Sequence, residues 1–161
     1  MHGIYADPET MRYWSSEPVS QLDDSRRLVQ EDLDAAAKGE MAFWAVTLRG
    51  SDQALGKCAL LHHSPANRRA EIGYVLNRQY WGQGLMTEAM QALIRHAFDE
   101  LDLHRLEADT DPANAASLRL LEKLGFRQEG LFRERWFVYG EWQDSVMLGL
   151  LRSDWERLGQ D

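Results

Sequence analysis

The sequence predicts an α+β fold, a mixed and mostly antiparallel sheet flanked by helices. Three observations carry this reading. The first forty residues hold helix-like segments, and apolar residues then alternate in strand fashion from Met41 to Asn77. Two later helical stretches, Gly84–Leu101 and Asn114–Leu124, are each followed by strand-like residues, and the chain closes on a long hairpin. At 161 residues, 44% hydrophobic and 27% charged, the chain suits a single domain over 1–161 with a real core.

The elements follow in order. Residues 8–15 read as a short helix opened by Pro8, and Pro18 ends the segment. Residues 20–38 read as a second helix: Ser20 and Asp23 resemble a capping box, Leu22, Val29, Leu33 and Ala36 share a face, and Gly39 stops it. Met41–Arg49 and Leu55–Ser64 form strands joined by the turn Gly50-Ser51-Asp52-Gln53, and Ala70–Asn77 forms a third after Pro65-Ala66-Asn67. In Gly84–Leu101 the apolar face is Leu85, Ala89, Leu93, Ala97 and Leu101, with Glu88, Gln91, Arg95 and Asp99 opposite. His104–Thr110 is a strand, and Asn114–Leu124 a helix closed by Gly125. Phe126–Tyr139 and Trp142–Leu151 pair around Gly140-Glu141, and Ser153–Leu158 adds a terminal helical turn.

Composition excludes several roles. No apolar run reaches the roughly 18 residues of a membrane span, and Met1-His2-Gly3-Ile4-Tyr5 has no signal-peptide character. The single cysteine, Cys58, allows no internal disulfide and points to a reducing cytoplasm. A net charge of −8 disfavours nucleic acid and suits a cationic amine, though it also serves plain solubility. His62 and His63 are strand neighbours on opposite faces, and no His or acid spacing suggests a metal.

The chemistry centres on Gln79-Tyr80-Trp81-Gly82-Gln83-Gly84 between a strand and a helix. Two glycines let backbone approach a bulky anion, and the helix beyond offers unpaired N–H groups to a diphosphate. A dinucleotide fingerprint would need glycine where Thr87 stands, and a P-loop would need a longer spacing and a Lys-Ser/Thr pair. What remains is Q-x-x-G-x-G. With Ala70-Glu71-Ile72-Gly73-Tyr74-Val75-Leu76, Asn114-Ala115-Ala116-Ser117-Leu118 and Gly140-Glu141-Trp142-Gln143-Asp144, it resembles the GNAT family of N-acetyltransferases. Within that family it is similar to the branch of ribosomal-protein N-terminal (Rim-type) acetyltransferases.

The resemblance implies acetyl-CoA as co-substrate, with no metal. Backbone amides of Gly82, Gln83, Gly84, Leu85, Met86 and Thr87, plus the Thr87 hydroxyl, would surround its diphosphate. Val75 and Leu76 would lend backbone groups to the pantetheine arm, Gln79 would cap the mouth of the loop, and Asn114 would serve as helix N-cap and pantetheine contact. Glu71 is the candidate general base, on the same strand face as Val75 and about 13 Å from it, so it would act through water; it also reads as a carboxylate satisfied by backbone or an arginine. Ser117 is the candidate general acid, because the tyrosine many family members place seven residues after the helix asparagine is Leu121 here; it also reads as an ordinary first-turn helix serine.

Direct attack by a neutral amine follows, with backbone near Val75 steadying the oxyanion. A protein or peptide N-terminal amine, with pKa about 7.7–8.0, is easier to find neutral than a lysine near 10.4, a gap of roughly 3.5 kcal/mol. A small-molecule amine such as a polyamine, aminoglycoside or amino-acid-like acceptor is the alternative, and a coenzyme A-binding module without turnover is a third. Tyr13, Trp14, Trp136 and Trp142 are candidates for the acceptor groove. The family usually begins with a strand that this chain lacks. Either the sheet lacks an edge strand, or a partner chain or an altered start supplies it, and an open edge favours a homodimer.

Overall fold

In the computed structural model, which describes residues 1–159, the chain folds around one six-stranded sheet. The strands are β1 (Ala42–Val46), β2 (Gly56–Ser64), β3 (Arg69–Leu76), β4 (Arg105–Thr110), β5 (Arg127–Val138) and β6 (Glu141–Leu151). Their spatial order is β1-β2-β3-β4-β6-β5. Every neighbouring pair is antiparallel except β3 with β4. The sheet is the mixed, mostly antiparallel one predicted, and β1 lies at one edge with no further described strand beside it.

Helices cover both faces. On one face lie α4 (Leu85–Arg95) and α5 (Ala115–Lys123), joined in the main core by Leu60, Ile72, Leu106, Leu148 and Leu150. On the other lie α1 (His2–Tyr5), α2 (Pro8–Met11) and α3 (Leu22–Ala37); Ile4, Tyr5 and Met11 form a smaller cluster with Val75. A last helix, α6 (Arg152–Leu158), follows β6.

Several helical details differ from the periodic reading. The stripe of α4 that enters the core is Met86, Met90, Leu93 and Ile94, continued by Ala97 and Phe98. Beyond Arg95 the chain makes one wider turn, His96–Glu100, which leaves Leu101 42% exposed. In α3 the capping box is not formed, since Gln21 is the N-cap without a side-chain bond. Leu22 and Leu33 are exposed there. The inward face instead runs Ser25, Leu28, Val29, Asp32, because Ser25 bonds His2 Nδ1 at 2.8 Å and Asp32 pairs with Lys57. Two polar residues with specific partners thus took places that hydrophobicity assigns elsewhere. The final hairpin turns on Tyr139 and Gly140, both left-handed, which is the two-residue turn whose twist matches paired strands.

The arrangement that matters most is a gap. The parallel pairing of β3 and β4 ends at Glu71 opposite Glu107. Beyond it β3 stays paired to β2 as far as Leu76, and β4 stays paired to β6 as far as Thr110. The two strands therefore splay, and residues 72–76 lose their partner on one side. Alternate residues there present backbone N–H and C=O groups to the gap.

Candidate active site

The chain leaves β3 through a short helical turn, Arg78–Tyr80, capped by Asn77, whose side chain accepts from the Gln79 amide at 3.0 Å. Gln83 Nε2 donates to the Gln79 carbonyl at 3.1 Å, and Trp81 Nε1 donates to the Leu76 carbonyl at 2.7 Å. The loop is thus pinned from both sides. Asn77 and Gln83 do the capping expected of the Gln79 side chain, which is itself exposed. The Leu76 carbonyl already has a donor, so of its backbone groups the N–H is the freer.

Gly82 and Gly84 are both left-handed, at φ of 72° and 79°, and a Cβ on either would meet no atom within 4 Å. Their glycine identity therefore answers to backbone conformation and open space, not to packing inside the protein. Gly84 is the N-cap of α4, and the first helical bond runs from the Glu88 amide to the Gly84 carbonyl at 3.0 Å. The amides of Leu85, Met86 and Thr87 have no helical acceptor, as in any first turn. Met86 turns its side chain into the core, while Gly82, Gln83 and Gly84 are exposed. The result is an exposed run of N–H groups at the positive end of a helix, continuous in sequence with the strand that lines the gap. Its polarity suits a diphosphate.

At the other wall, the Asn114 side chain caps α5 by accepting from the Ser117 amide at 3.1 Å. The Ser117 hydroxyl reaches back across the gap to Tyr74, with 2.6 Å between the two oxygens. Burial pushes the Tyr74 phenol up to about 12, only partly offset by that bond. Tyr74 is the residue that sequence reasoning missed. Leu121, at the position where a helix tyrosine was sought, is 1% exposed and belongs to the core.

Glu71 and Ser117 are not brought together. Glu71 lies three residues before Tyr74, hence on the opposite face of β3. Its side chain is 20% exposed and meets His62 Nδ1 at 3.1 Å. His62 has φ 49° at an irregularity in the β2–β3 register, so the simple alternation assumed for His62 and His63 breaks there. Across β4, Glu107 is held by Arg69 and Arg105, which leaves Glu71 as the carboxylate at the apex of the splay without an arginine. Val75 is buried under α1 and α2 on the same face as Glu71.

The four groove aromatics do not form one group. Trp14 packs edge-on against Tyr5 with ring centres 6.4 Å apart, whereas Trp142 packs on Phe137 near the hairpin turn. Trp136 lies beside Arg135, whose guanidinium holds Asp109 on β4 at 2.7 Å. The hairpin nevertheless meets the N-terminal layer, because the Tyr139 hydroxyl donates to the Met11 carbonyl at 3.4 Å. A separate open cavity of about 630 Å³ lies between α5, the start of β5 and α6. It adjoins the C-terminal end of α5, where carbonyls and the helix dipole disfavour a diphosphate.

Among the described residues no group of three or more His, Cys, Asp or Glu could hold a metal, and no helix is long and apolar enough to cross a membrane.

The family profile for the acetyltransferase (GNAT) domain matches residues 1–127. The uncharacterized N-acetyltransferase p20 of Bacillus licheniformis is 34% identical over 151 residues, spanning 94% of this chain and 85% of that protein. The ribosomal protein uS5-alanine N-acetyltransferase of Escherichia coli is 37% identical over 84 residues, 52% of this chain and 43% of that protein. In three dimensions, spermidine N-acetyltransferase from Vibrio cholerae, solved with CoA and spermine, superposes with a TM-score of 0.81. It is 21% identical and the match covers 96% of this chain and 89% of that one, a likeness of fold.

Proposed function

The chain belongs to the GNAT acetyltransferase family, and on that premise we propose that it acetylates a protein or peptide N-terminal α-amine. It is an acetyl-CoA-dependent N-acetyltransferase. The observation that carries the proposed site is the continuity of the splayed β3 with the glycine-lined N-terminus of α4. A ligand with a diphosphate at one end and an amide-bearing arm at the other fits that continuity. The diphosphate would lie on the amides of residues 82–87, the arm along residues 72–76, and Asn114 and Ser117 would face it from α5. The proposed unit is a single domain over the whole chain, working in the cytoplasm.

Chemistry then divides between the faces of β3. Glu71, with His62 against it, would draw the amine proton away through water on the side covered by α1, α2 and α3. The amine nitrogen bonds to the thioester carbon, and backbone near Val75 steadies the oxyanion. The carbon–sulfur bond breaks, its electron pair stays on sulfur, and Ser117 would donate toward it from the opposite face. An amine of pKa about 8 is roughly one-tenth neutral at pH 7, so a distant base suffices; a lysine would demand far more of it. The likeness to the uS5-alanine enzyme supports the same acceptor class. The acidic balance of the chain favours a second reading, a polyamine or other small cationic amine. The unpaired edge of β1 supports a homodimer, which sedimentation would test.

Acetyl transfer to an alanine-initiated peptide and to spermidine, followed from pH 6 to 9, distinguishes the acceptors. The proposal expects the peptide to be preferred. In the same assay Glu71→Gln should lower kcat about tenfold at pH 7 and progressively less toward pH 9, where the amine is already neutral. CoA binding should not change. Preference for spermidine would overturn the acceptor, and an unchanged Glu71→Gln rate would remove Glu71 as base.

A further inference from the structure

We propose that Tyr74 is a positioning residue that aims the Ser117 hydroxyl hydrogen at the thioester sulfur. The inference rests on acetyl transfer occurring in the β3–β4 gap. Three observations define the arrangement. Tyr74 belongs to the part of β3 that has lost its β4 partner, Ser117 to the first turn of α5, and their hydroxyls are 2.6 Å apart. The Ser117 backbone is fixed independently, through its amide on Asn114. The usual helix position for a hydroxyl is filled by Leu121 inside the core, so α5 offers no phenol of its own there.

Direction follows from acidity. A hydroxyl has one hydrogen and two lone pairs, so each member of the pair either donates or accepts. A phenol is the stronger donor and an alcohol the stronger acceptor. Burial raises Tyr74 to about 12, so it keeps its proton at any working pH. Tyr74 therefore donates, the Ser117 oxygen accepts, and the Ser117 hydrogen is left pointing away from the phenol. As the carbon–sulfur bond breaks, that hydrogen bonds to the growing thiolate. The thiolate then takes its proton from water, and both hydroxyls end unchanged. No full transfer from either is required, because a thiolate of pKa about 8.5 is a good leaving group. The tyrosine sought on the helix is thus replaced by a strand tyrosine acting through a serine.

The test uses CoA itself and needs no acceptor. The ultraviolet absorbance of the thiolate is followed against pH for CoA bound to the whole protein. A charge-assisted hydrogen bond should lower the bound thiol by about one unit, a tenfold change in its ionisation constant. Tyr74→Phe and Ser117→Ala should each move it back toward the free value, and the double variant should move it no further than Ser117→Ala alone. Tyr74→Phe keeps the ring in place, and stabilisation by CoA reports that each variant is folded. If Tyr74→Phe does not fold, 3-fluorotyrosine at position 74, a stronger donor of the same shape, should move the bound thiol further down. A shift with Ser117→Ala but none with Tyr74→Phe or the fluorinated residue overturns this inference and leaves Ser117 in its proposed role. An unshifted thiol in the unaltered protein overturns both roles, and failure of CoA to bind overturns the gap as the site.

Discussion

Replacing Gly84 with valine should weaken CoA binding more than a hundredfold while lowering the melting temperature of the free protein by only about 5 °C. Gly84 holds φ at 79°, and no protein atom lies within 4 Å of where a Cβ would stand. A Cβ there therefore meets no clash. The substitution meets instead the left-handed penalty of an L-residue, about 1–2 kcal/mol, worst for a β-branched side chain. For a protein of this size that is a few degrees. Binding suffers more, because the valine both rotates the amides at the start of α4 and fills the space in front of them. Losing two charge-assisted hydrogen bonds at about 1.5 kcal/mol each is already more than a hundredfold. Thermal melts with and without CoA measure both quantities. Undiminished stabilisation by CoA in the valine variant would place the diphosphate elsewhere.

Lys57→Ala should produce the opposite pattern, a large loss of stability with CoA binding kept. The Lys57 side chain is 13% exposed and is paired with Asp32, whose side chain is 21% exposed. Its ammonium lies 5.5 Å from the Tyr5 ring centre and 5.8 Å from that of Trp14. It joins β2 to α3 beneath the N-terminal layer. Stripping one member from a fully buried pair costs about 3–5 kcal/mol; the residual exposure here brings that to about 2–3 kcal/mol, or roughly 5–10 °C. The double variant Lys57→Met with Asp32→Leu should recover most of it, since no charge is then stranded.

The same cluster dictates a pH dependence. Burial pulls the Lys57 ammonium down, but Asp32 and Tyr5 more than compensate and its pKa is raised. Burial raises the Tyr5 phenol, whose hydroxyl meets no hydrogen-bond partner among the described residues. Both groups hold their protons to higher pH folded than unfolded. Their contribution is complete below about pH 10 and is lost as pH rises through the folded values. Chemical denaturation between pH 8 and 11 should show that alkaline loss, with the Lys57 share removed in the double variant and the Tyr5 share kept.

What the sequence made legible is what depends on local pattern. Strand alternation, the glycine pair before an amphipathic helix and the asparagine cap of α5 are local facts, and the fold they imply is the one observed. The departures all come from tertiary contacts. The four residues of α1 carry no period to read, yet Ile4 and Tyr5 are buried against Val75. Asp32 and Ser25 face inward because Lys57 and His2 await them, which left Leu22 and Leu33 of the apparent apolar face exposed while Val29 stays packed. Tyr74 could be placed on the core face of β3 by alternation, but its partner is 43 residues away on an element whose approach the sequence does not encode locally. The glutamate–histidine contact at Glu71 likewise needs the left-handed His62, a kink that alternation forbids.

The most direct measurement is a map of backbone amide chemical shifts as CoA is added to the protein. The largest changes are expected at Gly82–Thr87, with a second group along Ile72–Leu76 and at Ser117. Changes centred on Phe126, Arg127 and Asp154, around the cavity beside α6, with residues 82–87 unmoved, would contradict it.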